Sequence, residues 1–397
     1  MRYVPPELCA KCKGYKLLCG AKRCPILQRL SAYRRAKWNL SEPQAPTPPS
    51  PLVGERGYPK VPVALGLSPY GDPKLRDDPK AWVRLKLGLE EIANLRMEML
   101  NPFVKVDARE PEKLHKGELI WGAISEKPVD VEARLKAKPR PPSFDGLLAP
   151  IGPSASAEDV KVTDNPKVDP LIERKATEGI KAELAVFELL DWKRDLYLIQ
   201  KAFSVGLFGK RKRLVPTRWA ITAVDQIASK YYKKEVLDAK EVSGIKYGSY
   251  SHLGNTYKVL LLPGPPSVEM YEIWEPGSLW ASKEVVIYNF EGPLPNSKAL
   301  DVSDGGFHAL KEGALEVLSE YNLKAKVLVV RRISPEYYLP VGVWQVREGV
   351  KEAVRRALKS SNLTLEEALE LMNEDVVKNS RTLRQKSLFE YIRRGGE

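Results

Sequence analysis

The sequence predicts a mixed α+β fold, with a four-cysteine module before the central body and an extended tail after it. The α+β class follows from two periodicities, because apolar residues recur every three to four positions in some segments and every second position in others. With 397 residues and 43% hydrophobic residues, the chain is long enough to bury a sizeable core. The predicted organisation is a basic four-cysteine zinc module over 1–40, a proline-rich linker over 41–52, a central α+β body over 53–373 with an internal boundary considered near 135–153, and a flexible tail over 374–397.

Helical spacing is found both before and after the middle of the chain. Leu85, Leu89 and Ile92 begin one such series, and Val346, Val350 and Val354 form another. Thr364 followed by Glu367 has the pattern of a capping box, which opens a helix. The predicted helices are 80–100, 176–201, 307–321, 345–359 and 365–373.

A period of two appears after residue 245 and indicates strands. Turn signals rich in glycine and proline separate these segments, as in Pro263-Gly264-Pro265-Pro266. The predicted strands are 257–262, 268–274, 285–290 and 327–332. Residues 53–71 are predicted as irregular strands and turns, and the proline-containing stretch 135–153 as flexible.

The positive charge is concentrated at the two ends of the chain. The net charge is +13, and residues 1–40 contain ten basic side chains against the single acidic Glu7. The last 20 residues contain six basic and two acidic side chains. This distribution favours anionic partners, of which nucleic acid is the commonest, although solvated basic tails would give the same pattern.

No run of 18 apolar residues and no secretory signal pattern is present, so we expect no membrane-spanning helix and no export signal.

All four cysteines lie within 16 residues, as Cys9, Cys12, Cys19 and Cys24. Such clustering indicates one site, and four thiolates complete the tetrahedral coordination of a structural zinc ion. An iron–sulfur cluster is the first alternative, although the C-x2-C-x6-C-x4-C spacing matches neither common ferredoxin pattern. Two disulfides would need an oxidising compartment, and a catalytic zinc would normally keep one position open. Zinc is therefore the predicted cofactor.

Two groups of basic residues are candidate nucleic-acid contacts. One group surrounds the cysteines, where positive charge would offset that of a zinc tetrathiolate, and the other is a compact run after Gly209. A solvated loop is the alternative interpretation of the second group. The candidates are Lys11, Lys13, Lys16, Lys22, Arg23, Lys210, Arg211, Lys212 and Arg213.

The tail from residue 374 becomes more charged but keeps a short apolar segment near its end. Leu388, Tyr391 and Ile392 are spaced i, i+3 and i+4, so one helical turn would place them on one face. Such a face indicates docking into a partner's groove, or folding of the tail onto its own domain.

This segment resembles the PCNA-interacting peptide (PIP box) by which many DNA repair and replication proteins bind the sliding clamp. The resemblance assigns the polar-site role to Gln385, the pocket-filling roles to Leu388 and Tyr391, and the second aromatic position to Ile392. The sequence departs from the pattern at Ile392, where a second aromatic residue is usual. The implied partner is the PCNA clamp.

The chain as a whole resembles the archaeal Nre family of DNA repair proteins. The resemblance depends on the cysteine segment from Cys9 to Pro25 and on the tail from Gln385 to Ile392. Further matching segments are Gly57-Tyr58-Pro59, Ser68-Pro69-Tyr70-Gly71-Asp72-Pro73, Val215-Pro216-Thr217-Arg218-Trp219 and Leu339-Pro340-Val341-Gly342-Val343-Trp344. The resemblance implies an archaeal, cytoplasmic protein of the DNA-damage response that docks on the clamp, and it supplies no catalytic residues.

Whether the protein is an enzyme stays open at this point. The histidines His115, His252 and His308 show no paired spacing, and neither a Walker A motif nor G-x-G-x-x-G is present. Asp107 with the segment Glu110-Pro111-Glu112-Lys113 has the residue types of a metal-dependent nuclease without its clear strand placement. The loops at 71–73 and 218–219 are where a concealed active site would be sought.

Three functional interpretations follow from the sequence. The first is a repair factor that binds DNA and the clamp, and the second is an enzyme (a nuclease or a nucleotide-modifying enzyme) acting on damaged DNA. The third and weaker interpretation is an RNA-processing factor.

Overall fold

The computed structural model describes residues 42–68, 70–115, 118–279, 281, 283–293 and 305–384, without the side chain of His115. The fold is mixed α+β, which confirms the predicted class. Two compact units divide the described chain: the first contains 42–228 with Leu339–Val343, and the second contains 229–338 with 344–384. The division falls within one helix, Thr217–Leu237, and both sides of the stretch 135–153 belong to the first unit.

The first unit is built on a six-stranded sheet. Its strand order is β1-β5-β6-β4-β3-β2, and only the β4–β6 pair is parallel. The edge strands β1 and β2 are separated by three residues in sequence, so the sheet curls to bring its edges near one another. The strands are β1 (Gln44–Thr47), β2 (Pro51–Val53), β3 (Lys60–Leu65), β4 (Asn101–Asp107), β5 (Val129–Leu135) and β6 (Ser154–Val162).

The segment 41–52 differs from the predicted linker, because from residue 44 it is part of this sheet. Pro46 pairs with Asp130 of β5, and its carbonyl accepts a hydrogen bond from the Ser68 amide. Proline is tolerated there because β1 is an edge strand and needs few donors. Alternate residues of the strand are buried, which the proline-rich composition concealed.

Eight helices belong wholly or partly to the first unit. The predicted helix 80–100 is interrupted at Lys86, whose φ is +54°, and the predicted helix 176–201 is interrupted at Gly179 and Lys193, whose φ values are +66° and +56°. Since residues with left-handed backbone conformation end a helix, each predicted helical segment is divided into two or three shorter helices. They are α1 (Pro79–Arg84), α2 (Leu89–Met97), α3 (Glu112–His115), α4 (Leu119–Ala123), α5 (Pro170–Thr177), α6 (Ala182–Asp191), α7 (Leu196–Ser204) and α8 (Thr217–Leu237), with a 3₁₀ helix at Lys74–Asp77.

The second unit contains a five-stranded sheet in the order β11-β10-β13-β9-β8. Only the β10–β13 pair is parallel, and α9 provides the crossover between β11 and β13. The four predicted strands are confirmed within one or two residues at each end. The strands are β8 (Lys246–His252), β9 (Asn255–Leu262), β10 (Ser267–Trp274), β11 (Val285–Glu291) and β13 (Lys326–Ile333), and β7 (Lys240–Glu241) pairs separately with β12 (Leu323–Lys324).

Helices cover both faces of this second sheet. One face packs on α9 (Gly305–Glu320) and α10 (Trp344–Lys359), and Gly248 permits close contact because a Cβ there would lie 2.2 Å from the Ala353 carbonyl oxygen. The other face packs on α11 (Leu365–Met372), whose predicted capping box is present, and on the 3₁₀ helix Asp375–Asn379. The described chain ends in the short helix α12 (Arg381–Arg384).

Candidate functional site: a basic surface and the base of the tail

The basic run 210–213 lies in an exposed loop of the first unit, between α7 and α8. Lys210, Arg211 and Arg213 are exposed and Lys212 is partly exposed. None of the four forms an ion pair with any residue that the structure describes. The run therefore lies in an exposed loop, which is compatible with both interpretations given in the sequence analysis.

Ala108 joins this loop to two further segments through its backbone. Its amide donates to the Pro59 carbonyl at 2.7 Å, and its carbonyl accepts from the Leu214 amide at 2.8 Å. Gly57 precedes Pro59 in a tight turn with φ of +90°, where a Cβ would lie 2.9 Å from the Lys60 carbonyl oxygen. Two hydrogen bonds therefore bring the segments 57–60, 107–113 and 210–214 together.

We call the side chains presented by these three segments the basic tip. Seven cations and three carboxylates give it a net charge of +4. Tyr58 adds an aromatic ring that is 59% exposed beside the cations. The basic tip consists of Tyr58, Lys60, Asp107, Arg109, Glu110, Glu112, Lys113, Lys210, Arg211, Lys212 and Arg213.

Two of the three carboxylates of the basic tip, those of Asp107 and Glu110, are held in ion pairs. Asp107 accepts two hydrogen bonds from the Arg109 guanidinium, at 2.9 and 2.7 Å, and these hold the pKa of Asp107 well below its usual range. Glu110 pairs with Lys113, and this hydrogen bond raises the pKa of the lysine. In the part of the chain that the structure describes, no group of three His, Cys, Asp or Glu side chains is placed to hold a metal ion. Arg109 and Lys113 are thus paired within the tip, and the loop 210–213 contributes four cations without a described ion-pair partner.

Hydrogen bonds and an ion pair within the first unit hold the loops at 71–73 and 218–219. Asp72 accepts from the Lys74 amide at 2.9 Å, and the buried Arg76 donates to the Tyr70 carbonyl at 2.7 Å and to Glu98 at 2.8 Å. Arg218 lies 3.9 Å from Asp145, and no described contact joins it to the 71–73 turn. Each loop is therefore held by its own polar contacts in the described part of the chain.

The two described histidines differ in burial. His252 ends strand β8 and His308 is buried in α9, so the two belong to different elements. Burial, together with nearby Lys311, lowers the pKa of His308 to about 4. A histidine that is neutral and buried at neutral pH is a core residue.

The base of the C-terminal tail is anchored by Glu269 of strand β10. Its carboxylate accepts from the Ser380 hydroxyl at 2.7 Å, the Arg381 amide at 2.9 Å and the Thr382 amide at 2.8 Å. Burial opposes the charge of Glu269, but these hydrogen bonds outweigh it and lower the pKa. A carboxylate at the N-terminus of a helix satisfies donors that otherwise lack a partner. Sequence reasoning missed Glu269, whose signal is a glutamate within a fully buried strand that also contains Glu272.

The tail base is also held on the sheet by Arg381. Its guanidinium lies 5.8 Å from the Tyr288 ring centre and 5.3 Å from that of Phe290, both on strand β11. Arg384 donates to the Lys378 carbonyl at 3.1 Å and to Asn379 at 2.8 Å. The clamp-binding candidates Gln385, Leu388, Tyr391 and Ile392 follow this anchor and lie outside the described residues.

The other predicted site residues also lie outside the described part of the chain. These are the metal candidates Cys9, Cys12, Cys19 and Cys24 and the basic candidates Lys11, Lys13, Lys16, Lys22 and Arg23. Among the residues that are described, no helix has the length and apolar character needed to cross a membrane.

Comparison with known proteins identifies relatives along nearly the whole chain. Residues 18–281 match the model of the archaeal Nre N-terminal domain, and residues 295–395 match that of the archaeal Nre C-terminal domain. The chain is 39% identical to the DNA repair protein NreA of Archaeoglobus fulgidus over 87% of this chain and 88% of that protein. It is 32% identical to NreA of Haloferax volcanii over 85% and 84%, and 29% identical to NreB of Archaeoglobus fulgidus over 97% and 100%. No solved structure matches the chain.

Proposed function

The chain belongs to the archaeal Nre family, and from this membership we propose that it is a DNA repair factor that binds DNA and docks on the PCNA sliding clamp. The repair role is supported by relatives named DNA repair proteins, with 39% and 32% identity over most of the chain. The DNA-binding role is supported by the basic tip, and the clamp-binding role by the tail sequence from Gln385 to Ile392.

The basic tip is the observation that favours DNA as the ligand. Four of its cations come from the loop 210–213 and have no ion-pair partner among the described residues, and the exposed Tyr58 ring lies on a neighbouring segment. Lysine and arginine bind phosphate by charge, and an exposed aromatic ring offers a stacking surface for an unpaired base. Because the three segments are joined through the backbone of Ala108, their cations are presented together in the folded protein.

A salt-dependent DNA titration tests this role. We expect the variant Lys210→Gln/Arg211→Gln/Lys212→Gln/Arg213→Gln to bind duplex or single-stranded DNA on the order of 10- to 100-fold more weakly. The slope of log affinity against log salt concentration should become shallower by ~0.9 for each phosphate contact that is lost. Fluorescence anisotropy at several salt concentrations measures both quantities.

A matched variant separates the basic tip from the effect of net charge. Lys136, Lys138, Arg140 and Lys161 are exposed cations elsewhere in the same unit, so their joint replacement by glutamine removes the same charge. We expect this control to retain most of the DNA affinity. Equal weakening by the two variants would refute a specific role for the tip, and an affinity insensitive to salt would refute phosphate binding altogether.

We propose that Cys9, Cys12, Cys19 and Cys24 bind one structural zinc ion. The support is their spacing and the basic residues between and beside them. Metal analysis of the purified protein should find about one zinc per chain, since four thiolates complete one tetrahedral site. Iron in place of zinc would identify a cluster instead, and absence of both metals would refute a metal site.

Clamp docking is tested with a peptide spanning residues 378–397. Calorimetric titration into an archaeal sliding clamp should show binding, and Leu388→Ala/Tyr391→Ala should abolish it because both pocket-filling side chains are removed. Gly395→Ala, outside the motif, is the control and should bind like the unmodified peptide. A peptide that does not bind would refute the clamp proposal while leaving the DNA proposal intact.

A further inference from the structure

The outer strand of the second sheet, β11, is unusually apolar for a strand at an edge. Its sequence is Val285-Val286-Ile287-Tyr288-Asn289-Phe290-Glu291, and β10 pairs with one side of it. No strand in the described ranges pairs with the other side. Val286 is 44% exposed and Tyr288 is 39% exposed. Edge strands usually contain lysine, proline or a bulge that discourages further pairing, and β11 contains neither lysine nor proline.

The C-terminal tail begins beside this strand. Arg381 packs over Tyr288 and Phe290, and the Glu269 carboxylate fixes the backbone at Arg381 and Thr382. From Arg381 to Arg384 a helix rises only ~4.5 Å. The segment that starts at residue 385 is therefore attached within about one helical turn of β11.

The tail has the length and the residue pattern of an added strand. At ~3.4 Å per residue, the eight steps from Arg384 to Ile392 span about 27 Å, whereas the six steps of β11 span about 20 Å. An extended conformation puts Leu388 and Ile392 on one face and Phe389 and Tyr391 on the other. Apolar side chains would then lie on both faces, next to those of β11.

The anchor fixes an antiparallel direction for this strand. Glu269, which binds the backbone at Arg381 and Thr382, pairs in the sheet with Phe290 near the end of β11. Arg381 itself packs over Tyr288 and Phe290. A tail that follows the length of β11 from this point must therefore run from Phe290 towards Val285.

We infer that the chain's own segment 386–394 docks as an additional strand on the outer edge of β11 when the clamp is absent. The same side chains, Leu388 and Tyr391, then serve two conformations, an extended one on β11 and a helical turn in the clamp. Because one segment cannot occupy both places, docking on β11 competes with the clamp. The competition rests on the clamp binding proposed above, whereas the docking itself does not.

Hydrogen exchange of the full-length protein without clamp tests the docking. The variant Leu388→Ser/Phe389→Ser/Tyr391→Ser/Ile392→Ser keeps the chain length and removes the apolar contacts. We expect the β11 amides that do not bond to β10 to exchange about ten-fold faster in this variant, since loss of pairing exposes them to solvent. Unchanged exchange of those amides would overturn the inference.

A second variant weakens the same contact by a substitution in strand β11 instead of the tail. Val286→Lys places a charge on the exposed edge, and Leu371→Lys is its control, because Leu371 is 47% exposed on helix α11. We expect only Val286→Lys to accelerate exchange in the tail segment 386–394. Protection that rises with protein concentration, with dimers in sedimentation, would identify a second copy as the occupant and overturn the intramolecular inference.

Clamp titrations then separate the inference from the proposed function. If the isolated peptide binds the clamp, the full-length protein should bind about ten-fold more weakly, because only the undocked fraction is competent. Val286→Lys should bring the full-length protein close to the affinity of the peptide. Equal affinities of peptide and unmodified protein would overturn the competition, whereas a peptide that fails to bind refutes only the clamp proposal and leaves the exchange test decisive for docking.

Discussion

Arg109 of the first unit and Arg331 of the second are both paired with a carboxylate, but the two pairs have opposite surroundings. The side chain of Arg109 is 57% exposed and pairs with Asp107, whereas that of Arg331 is 5% exposed and pairs with Glu272. Arg331 also donates to Asn255, at 3.1 and 2.8 Å. Water screens the first pair, while the protein must supply every partner of the second.

The same contrast extends to the neighbours of each pair. In the second unit, Arg347 pairs with Glu312 at 2.8 Å and Lys351 pairs with Glu316, and both cations are buried. At the basic tip, the loop 210–213 has no described carboxylate partner. The buried cations Arg347 and Lys351 are thus held by carboxylates within the fold, whereas the cations of the loop 210–213 have no described carboxylate partner.

Removing Arg331 should have the largest effect on stability. Burial opposes the charge of Arg331, but Glu272 outweighs it and raises the arginine's pKa, so the buried pair is ionised. Arg331→Met leaves the Glu272 carboxylate buried without its cation, and we expect a loss of about 3–5 kcal/mol in the free energy of unfolding. Urea denaturation measures this loss.

The double variant Arg331→Met/Glu272→Met is the matched control for that experiment. Because it leaves no uncompensated charge, it should be more stable than Arg331→Met alone. If Arg331→Met lost less than about 1 kcal/mol in the free energy of unfolding, water would have to reach Glu272. The Arg331–Glu272 pair would then not differ from the exposed Arg109–Asp107 pair.

Acid should destabilise the second unit through His308. Burial and Lys311 lower its folded pKa from 6.5 to about 4. Between these values the unfolded chain binds more protons than the folded one, so stability decreases as pH falls from 6.5 to 4. The difference corresponds to about 3 kcal/mol over this window. Urea titrations at several pH values should show this decrease, and His308→Gln should reduce the slope. An unchanged slope would assign the acid sensitivity to the carboxylates.

Removing the carboxylate of Glu269 should have a smaller, local effect. Glu269→Gln replaces one acceptor oxygen by a donor that faces the amides of Arg381 and Thr382, so we expect a loss of about 1–3 kcal/mol. Hydrogen exchange over 381–384 should accelerate. Glu366→Gln, on the exposed side of helix α11, is the control, and equal effects of the two variants would contradict the anchoring role.

Four of the five strands of the second sheet could be predicted from the sequence because each has a local signal, whereas β8 was missed. Strands β9 and β13 show continuous apolar runs, with glycine and proline marking the turn that follows β9. The first sheet was less predictable, since β1 and β2 are short and contain proline. The sequence analysis also missed the points where helices are interrupted. A lysine with left-handed backbone conformation, such as Lys193, cannot be told from any other lysine in the sequence.

The basic tip was predictable only where its residues are contiguous. Lys210 to Arg213 are visible as a run, but Arg109 joins them through the two backbone hydrogen bonds of Ala108. Alanine at that position gives no sign of its role in the sequence. The Glu269 anchor depends likewise on pairing across 111 residues, between Glu269 and Ser380, which no periodicity encodes.

Among these variants, Arg109→Ala should change the free energy of unfolding least. It tests the exposed Arg109–Asp107 pair. The urea midpoint should not move, because an exposed pair contributes little to folding. DNA affinity should fall roughly three-fold, since loss of the Arg109 guanidinium lowers the net positive charge of the tip by one. Arg109→Ala/Asp107→Asn restores that net charge. Recovery of affinity in the double variant would show that the tip attracts DNA by its overall charge, whereas a persistent loss would show that Arg109 itself contacts a phosphate. A shift of the midpoint as large as that of Arg331→Met would contradict the division between structural and available cations.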